Sequence, residues 1–509
     1  MCIRDRSQGL NFQPGVRVET NCQNCGFQQV RINGLDGPYT QILIDSRPVF
    51  SALSGVYGLE QIPASMIERV EVMRGGGSAL FGSSAIAGTI NIITKEPLRN
   101  SGQLSHTITS LGGSSSFDNN TSLNASLVTD DHRAGLYIFG QNRYRSGYDY
   151  DGDGFTELPK LKNQTVGFRS YLKTSTYSKL TFEYHHMQEF RRGGDMLNRP
   201  PHEAHIAEQL QHSIDGGSLK FDYFSPDEKN RLSVFASAAN TDRDSYYGPG
   251  NDPLKAYGKT TDLTAMGGAQ YVHTFDKCFF MPSDLTAGLE YNRDRLKDNM
   301  WGYNRHTDQT VNIYSAFLQN EWKNDRWGIL IGGRLDKHNM VDNVIFSPRA
   351  NLRFNPTQNI NLRLSYSSGF RAPQAFDEDM HIENVGGTVA MIERAKDLKE
   401  EKSQSFSVSA DMYHRFGAFQ TNLLIEGFYT RLTDVFVLGK PYDRGDGILV
   451  KTRSNGPGAK VMGLTLEGKV AYLSILQIQA GLTLQRSRYD EPHKWHDDAP
   501  VSYTHLRAH

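Results

Sequence analysis

The chain has 509 residues, of which 38% are hydrophobic and 11% aromatic, with a mean hydropathy of −0.53. No run approaches the roughly 18 consecutive apolar residues of a transmembrane helix, which excludes ordinary helical spans. The 55 basic and 56 acidic residues nearly cancel, so no global positive field indicates nucleic acid, and four cysteines exclude a disulfide-built scaffold. A spanning β-strand needs only about 10 residues with every second one apolar, so a membrane barrel is compatible with this composition.

The two ends of the chain do not continue the patterns beside them. Residues 1–8 lack the apolar core of a signal peptide, and residues 496–509 continue no strand pattern. We expect both to be non-native tips, so that the remainder is an internal fragment without its native ends. The absence of a signal therefore carries no information about destination.

Residues 9–98 predict a small mixed α/β domain. Short apolar clusters at 30–34, 41–45 and 67–73 are separated by glycine turns and indicate strands. One helical turn is predicted near Pro63–Ile67.

Residues 99–495 change to a period of two. Val166, Phe168 and Leu172 share one predicted face, whereas Arg169 and its neighbours at alternate positions point the other way. Lysine and arginine at every second position are too costly for an unpaired sandwich core. They suit the wet lumen of a barrel whose apolar face meets lipid, although a soluble sheet with one solvated face fits any single segment equally well.

The connections between these strands distinguish the two alternatives. Tight turns are predicted at 174–178, 323–326, 355–359 and 415–418, and long polar loops at 145–163, 187–215, 243–262, 293–311, 368–403 and 438–459. This alternation is typical of outer-membrane barrels, with tight periplasmic turns and long outer loops. Aromatic residues near the strand ends predict interfacial girdles: Trp322, Trp327, Tyr366, Phe370 and Tyr429.

The predicted barrel is wide enough that its lumen must be filled by a separate domain. At roughly 20–25 residues for each strand and its connection, residues 99–495 correspond to about 16 strands. A barrel of about 8 strands fills with its own side chains, whereas one of about 22 encloses a lumen that must be plugged. We therefore expect an all-β transmembrane antiparallel β-barrel with the N-terminal α/β domain inside its lumen.

Several motifs resemble the TonB-dependent outer-membrane receptors, in their details most like Bacteroidetes members. The plug resemblance lies in Val30-Arg-Ile-Asn-Gly-Leu35, Ile42-Leu-Ile-Asp-Ser-Arg-Pro-Val49, Ile67-Glu-Arg-Val-Glu-Val-Met-Arg-Gly75 and the segment 78–95, and the barrel resemblance in Gly369-Phe-Arg-Ala-Pro373 and Asp397-Leu-Lys-Glu-Glu-Lys402. The resemblance implies an incomplete 22-stranded barrel (99–495) and an N-terminally truncated plug (9–98).

The same resemblance implies a function and partners. Such receptors import a scarce metal chelate or tetrapyrrole, such as cobalamin, haem or a ferric siderophore, and are driven by the TonB-ExbB-ExbD complex. We accordingly expect an importer rather than an enzyme, in outer-membrane lipid, with a surface lipoprotein as a further partner and no nucleic acid. A passive porin is the alternative, and it would leave the lumen open.

The glycine-rich segment Arg74–Gly82 is not a nucleotide loop. Ser83 stands where a phosphate loop needs lysine. Glycines that permit tight turns and close approach to the barrel wall explain it better. Glu68, Arg69, Glu71 and Arg74 are candidates for charge pairs between plug and wall, and a solvated plug face is the alternative.

Cys22 and Cys25 form a CxxC motif with three interpretations. A redox pair, a metal site and a small disulfide all use this spacing, but a metal site needs two further ligands and no second CxxC appears. An oxidising periplasm favours the disulfide. Cys2 and Cys278 are predicted to stay unpaired.

The segment from Tyr148 to Glu157 is the best metal candidate. Asp149, Asp151 and Asp153 alternate ahead of Gly154, like the first half of a calcium loop, with Glu157 as a further ligand. The twelfth position is Lys160 rather than glutamate, and an acidic loop tip is the alternative. No cofactor is otherwise required.

Candidate substrate contacts lie in the longest predicted loop. His381 follows the Gly369–Pro373 motif, where haem receptors of the resembled family place an axial histidine, and Arg371 lies within that motif. The haem receptors carry Asn-Pro-Asp-Leu shortly afterwards, whereas this chain has Ala395-Lys-Asp-Leu398. A solvated loop histidine is therefore the alternative for His381, which otherwise favours haem. The acidic loop favours cobalamin, because the resemblance implies calcium-ordered outer loops in cobalamin receptors.

Overall fold

The structure is a computed structural model. It describes residues 10–22, 26–47, 63–113, 115–249, 253–380, 382–385, 388–491, 493–496 and 499–501. Among these residues, no helix has the length and apolar character needed to cross a membrane.

The described chain is dominated by strands. The strands are β1 (Val16–Cys22), β2 (Phe27–Ile32), β3 (Thr40–Ile44), β4 (Ile67–Arg74), β5 (Gly88–Thr94), β6 (Ser101–Ser110), β7 (Phe117–Val128), β8 (Ala134–Arg145), β9 (Lys160–Ser175), β10 (Ser178–Gly194), β11 (Ile206–Phe224), β12 (Asn230–Pro249), β13 (Tyr257–Cys278), β14 (Met281–Met300), β15 (Arg305–Lys323), β16 (Trp327–His338), β17 (Ile345–Thr357), β18 (Ile360–Arg371), β19 (Glu383–Val385), β20 (Thr388–Arg394), β21 (Glu401–Phe416), β22 (Phe419–Thr433), β23 (Phe436–Leu438), β24 (Tyr442–Asp443), β25 (Leu449–Asn455), β26 (Ala459–Tyr472), β27 (Leu476–Tyr489), β28 (His493–His496) and β29 (Ala499–Val501). The helices are short: α1 (Ser78–Phe81), α2 (Asp377–Met380) and the 3-10 turns Gly37–Tyr39, Ala64–Met66, Pro201–Glu203, Pro253–Ala256 and Trp301–Tyr303.

The first five strands form the mixed domain that the sequence predicts. β1 and β2 make an antiparallel hairpin, and β5 lies between β3, its parallel neighbour, and β4, its antiparallel neighbour. Ile32, Ile90 and Ile92 are fully buried at the centre of this domain's core. The helical turn predicted near Pro63–Ile67 is a single 3-10 turn at Ala64–Met66.

Seventeen of the described strands form a closed barrel, one strand more than the approximate estimate from length, and every ladder with a defined register is antiparallel. Sixteen ladders join successive strands from β6 to β27, with β21, β22 and β26 following β18 in the wall. β6 and β27 meet at the remaining junction, where both expose nearly every residue. The predicted antiparallel barrel is confirmed.

The two faces of the wall follow the predicted alternation. Val166 and Leu172 point outward and are 56% and 49% exposed, as expected for side chains that meet lipid. Arg169 points into the lumen and bonds there to the N-terminal domain. The charged positions of the period-two pattern therefore face the interior of the barrel.

The connections agree with the prediction at one end of the barrel and differ at the other. The four tight turns lie where they were predicted. The outer loops are shorter than predicted, because polar strands go on pairing beyond the apolar band: β10 and β11 remain in register up to Gly194↔Ala207, inside the predicted loop 187–215. The predicted loops 368–403 and 438–459, with the residues just before the second loop, contribute a five-stranded sheet of β19, β20, β23, β24 and β25.

Most of the predicted girdle residues lie at the wall's outer surface, but Phe370 does not. Trp327 stacks on Phe354 with 4.3 Å between ring centroids, at the tight-turn end. Phe370 is only 1% exposed and packs with Val341, Ile345 and Ala372, so its assignment to the girdle is wrong. Its strand end is covered by neighbouring loops rather than by lipid.

Candidate functional site at the plug and barrel interface

An ionic cluster joins the N-terminal domain to β9 and β10. The Arg169 guanidinium contacts the Asp45 carboxylate and the Thr94 hydroxyl, and it lies 3.1 Å from Glu183 Oε2. Thr94 also donates to both Asp45 oxygens, at 3.0 Å from its N–H and 2.6 Å from its hydroxyl. Asp45 directly follows β3. Its carboxylate is therefore bound both by Thr94 of the plug and by Arg169 of the wall.

The protonation of Asp45 follows from these neighbours. Burial raises the pKa of this carboxyl, but the Arg169 charge and the hydrogen bonds from Thr94 more than offset that effect, so the net pKa is lowered. Asp45 is therefore ionised across the physiological range and stays paired with the wall.

A second ion pair lies on another side of the lumen. Arg74, at the end of β4, binds Glu426 of β22 at 2.6 Å. Arg69 and Glu71 instead pair with each other at 2.8 Å, on the exposed part of the same strand. Of these predicted charge-pair residues, Arg74 joins plug to wall, and Arg69 and Glu71 do not.

The glycine-rich segment comes as close to the wall as the sequence suggests. A Cβ at Gly76 would lie 2.8 Å from Ser367 Oγ of β18. Gly75 and Gly82 adopt positive φ angles of 84° and 76°, which glycine tolerates without strain. The Ser84 N–H that follows donates to the Phe370 carbonyl at 2.8 Å, so the plug backbone reaches the strand edge.

Tyr39 links the plug to Arg371, one of the predicted substrate contacts. The Tyr39 hydroxyl donates to Glu401 Oε1 at 2.9 Å, and Arg371 lies 3.8 Å from the other oxygen of the same carboxylate. Burial and the Glu401 charge raise the pKa of Tyr39 well above its usual value, so the phenol keeps its proton. Arg371 is 4% exposed and stacks over Phe376 at 4.1 Å.

Two further lumen arginines reach backbone carbonyls of the plug. Arg191 Nη1 donates to Gly26 at 3.2 Å, and Arg334 Nη1 donates to Leu80 at 3.1 Å. The wall residues that hold the plug thus lie on β9, β10, β16, β18, β21 and β22. Contacts on so many sides place the plug inside the lumen, as predicted.

A segment between β18 and β21 enters the barrel from the outer end. The Ala375 N–H and the Arg394 guanidinium both donate to Gln309 Oε1 of β15 at 2.8 Å. Asp379 of α2 pairs with Arg453 of β25 at 2.9 Å, and both side chains are buried. We call the described residues within 372–400 the roof segment, because they cover the lumen above the plug.

The outer loops also pack on one another. An apolar cluster joins four of them through Ala204, Ala256, Tyr303 and Ile448, and Met391 of the roof segment packs in the same cluster. The mouth of the barrel is therefore covered by one continuous set of contacts.

The predicted acidic loop brings its carboxylates together. Ligand oxygens of Asp149, Asp151 and Asp153 all lie within 4.8 Å of one another. Asp149 accepts the Gly152 and Gly154 N–H groups at 2.7 and 2.9 Å, so this carboxylate shapes the turn. The predicted fourth ligand, Glu157, accepts the Tyr150 N–H at 2.5 Å.

Two other predicted sites lie outside the described residues. His381 and Cys25 are not among the residues that the structure describes, and only the backbone of Cys22 is, at the end of β1. The haem ligand and the disulfide therefore remain predictions.

Two family models match the chain. One described as "TonB dependent receptor-like, beta-barrel" covers residues 94–505, and one described as "TonB-dependent Receptor Plug Domain" covers residues 3–89. The chain belongs to the TonB-dependent receptor family. Its plugged antiparallel barrel is that family's fold, and its location is the outer membrane.

Curated relatives from several bacteria match this receptor. The Vibrio vulnificus vitamin B12 transporter BtuB is 23% identical over 72% of the chain and 57% of its own length. The Vibrio cholerae iron-regulated outer membrane virulence protein is 27% identical over 73% of the chain and 55% of its own length. The Pseudomonas aeruginosa ferric enterobactin receptor PirA is 35% identical over 19% of the chain and 15% of its own length. The chain thus spans little more than half of the relatives that it matches broadly.

Solved receptors share the fold. The siderophore receptor PirA from Pseudomonas aeruginosa superposes with a TM-score of 0.76 at 17% identity, covering 96% of this chain and 84% of that one. The alcaligin receptor FauA from Bordetella pertussis gives a TM-score of 0.66 at 15% identity, covering 99% and 80%. At these identities the likeness establishes the architecture alone.

Sequence reasoning missed most of the plug and barrel contacts. It assigned Arg169 to the lumen but named no partner, and it passed over Asp45, Tyr39 and Glu401. The available signal was a carboxylate inside an otherwise apolar plug motif, since a buried charge requires a partner. Its partner is more than a hundred residues away, so the motif alone does not identify it.

Proposed function

We propose that this receptor imports a scarce metal chelate or tetrapyrrole, such as cobalamin, haem or a ferric siderophore, with energy from the TonB-ExbB-ExbD complex. The observation that carries the proposal is the plug, which ion pairs such as Arg74–Glu426 hold in the lumen. Breaking partly buried ion pairs costs free energy. Displacing the plug so that a substrate can pass through the barrel therefore needs an external source of energy. A passive porin needs no such plug.

The relatives support the chelate class. Those named above as a vitamin B12 transporter and a ferric enterobactin receptor bind a corrinoid and an iron chelate. We propose no catalytic step, because the charged lumen residues serve the interface between plug and wall.

Substrate contacts belong to the same proposal. Arg371 reaches a ligand only if the roof segment moves, because Tyr39 and Phe376 cover its guanidinium. His381 is proposed as an axial ligand in the case of haem, and Asp149, Asp151, Asp153 and Glu157 as calcium ligands that order an outer loop. A surface lipoprotein is proposed as a lid over that mouth.

Ligand binding and energy coupling are tested separately. The purified chain is titrated with haem, cyanocobalamin and a ferric catecholate, and we expect saturable binding of one of them. The gene for the receptor with its native ends is then expressed in a receptor-deficient Gram-negative host, with and without TonB. Growth on the bound chelate should require TonB. Growth without TonB, or liposome swelling by small sugars at porin rates, would overturn the proposal.

A further inference from the structure

The barrel wall parts between β17 and β18 at its outer end. Their ladder stops at Arg349↔Ser367, although β17 stays paired with β16 as far as Ile345, and β18 stays paired with β21 as far as Arg371. Pro348, the next residue of β17, carries no N–H for a ladder. Over these described residues, four positions of each strand face each other without pairing.

The plug closes the inner side of this gap. Ser84 donates its N–H to the Phe370 carbonyl at 2.8 Å, and the hydroxyls of Ser78 and Ser83 lie 3.4 Å from the N–H groups of Phe370 and Ala372. Phe370 at the end of β18 and Ala372 just after it are two residues apart, so their N–H groups point to the same side of the strand. The plug therefore bonds to the strand edge that β17 leaves unpaired. The gap is therefore a slot that is sealed from within.

The outer side of the slot is a cavity of about 600 Å³. Val344 and Phe346 line it and are 56% and 60% exposed, and Tyr366 lines it from the opposite strand. Lys402 and Arg431 line the same cavity. It thus combines apolar side chains with two cations and the Glu400 carboxylate, within the volume range of ligand pockets.

Arg431 lies one row farther out than a belt of aromatic side chains, and Lys402 lies two rows farther out. Tyr366, Phe406 and Tyr429 are in register across β18, β21 and β22. Arg431 and Lys460 are in register two residues farther toward the outer loops. Aromatic rings sit at the membrane interface, and cations beyond them meet lipid phosphates.

Arg431 is the cation of this cavity whose side chain has no close carboxylate partner among the described residues. Lys402 pairs with Glu400 at 3.0 Å, and Lys460 pairs with Asp490 at 2.7 Å. The Arg431 side chain forms no ion pair or hydrogen bond within the described part of the chain, and it acts only through its field on Asp490, the partner of Lys460. The charge of the cavity is therefore complementary to an anion, and its apolar wall is complementary to a hydrocarbon chain.

We propose that this slot binds a phosphorylated, acylated lipid of the outer leaflet. The acyl chain lies along Val344, Phe346 and Tyr366, and the phosphate lies against Arg431 and Lys402. A free phosphate gains nothing from the apolar wall. The proposal rests on the barrel and not on the imported substrate.

Native mass spectrometry of the full chain in a mild detergent tests the assignment. The probes are bis-phosphorylated lipid A, its dephosphorylated form and inorganic phosphate. We expect the phosphorylated lipid to be retained and the other two to be lost. Because each cation near a membrane surface contributes about 1 kcal/mol, Arg431→Gln with Lys402→Gln should lower retention about tenfold or more.

Two further variants separate the lipid site from general adhesion. Phe346→Ala should also lower retention, because it removes the apolar wall and leaves the cations. Arg415→Gln, at the tight turn of the same β21–β22 hairpin, should retain lipid like the parent protein. Equal retention by the double variant, displacement of the lipid by inorganic phosphate, or equal retention of dephosphorylated lipid A would each overturn the proposal.

Discussion

The Ser84 N–H of the plug donates to the Phe370 carbonyl of β18 at 2.8 Å. This bond joins two backbones, so the identity of either side chain does not determine it. Ser84 has a φ of 70°, in the left-handed region, which aims its N–H at the strand edge. The plug is therefore held by backbone pairing as well as by ion pairs.

The serines around this bond should differ in importance. Ser78→Ala removes the fully buried hydroxyl beside the Phe370 N–H, which costs about 1–3 kcal/mol in the free energy of unfolding. Ser84→Gly keeps the backbone bond and suits the positive φ, so we expect nearly unchanged stability. Urea unfolding and hydrogen exchange at Phe370 measure both. Equal damage from the two variants would contradict this account.

Reversing the Arg74–Glu426 pair tests the second contact between plug and wall. Arg74→Glu places two carboxylates together in a partly buried site and should loosen the plug, which raises sugar flux in liposome swelling. The double variant Arg74→Glu with Glu426→Arg should restore the closed state. Arg69→Glu on the same strand is the control, because Arg69 is exposed and pairs with Glu71 of the plug itself. A leak from the control equal to that from Arg74→Glu would refute the assignment.

The Asp45–Arg169 pair predicts how plug docking depends on pH. The pKa of Asp45 is lowered in the folded protein, so its contribution is complete above the ordinary carboxyl value of about 3.9 and is lost as the pH falls through the folded pKa. We expect the contribution of the Asp45 carboxylate to docking to stay constant between about pH 5 and 8, and to be lost on further acidification. Limited proteolysis of the plug across this range measures it.

Asp45→Asn should weaken docking at neutral pH and reduce the acid transition. The expected loss is about 1–3 kcal/mol, because Arg169 keeps its contact with Glu183. Asp276→Asn is the control, since Asp276 is exposed and pairs with Lys229 at the surface, where such pairs contribute little. An unchanged acid transition in Asp45→Asn would assign the transition to other groups.

The fold could be predicted from the sequence because the patterns that specify it, side-chain alternation and turn length, are local. Alternation at Val166–Lys173 assigns one face to lipid, and a tight turn such as 415–418 is set by chain length. Strand ends in the outer region could not be predicted, because polar residues such as Gln209 and Asp244 pair equally well in a ladder or in a loop. Phe370 was misassigned for a related reason, since its cover comes from a distant loop.

The candidate site was less predictable, because its partners come together only in the folded barrel. Arg169 could be assigned to the lumen, but its pairing with Asp45 spans 124 positions. The acidic loop is the exception. Its three aspartates lie within five residues of one another, so the local turn is enough to bring them together.

That loop gives the last prediction, which concerns calcium. Asp149 is already engaged by two backbone N–H groups, whereas Asp151 is exposed and accepts the Asp153 N–H at a long 3.4 Å. Asp151→Asn should therefore abolish calcium binding and leave the turn intact, whereas Asp149→Asn should lose both. Calorimetry with calcium chloride measures binding, and protection of the Gly152 and Gly154 amides reports the turn. Asp308→Asn, in another outer region, is the control and should bind calcium like the parent. Undiminished binding by Asp151→Asn would place the ion elsewhere, because a cation held by three carboxylates does not tolerate the loss of one charge without a large fall in affinity.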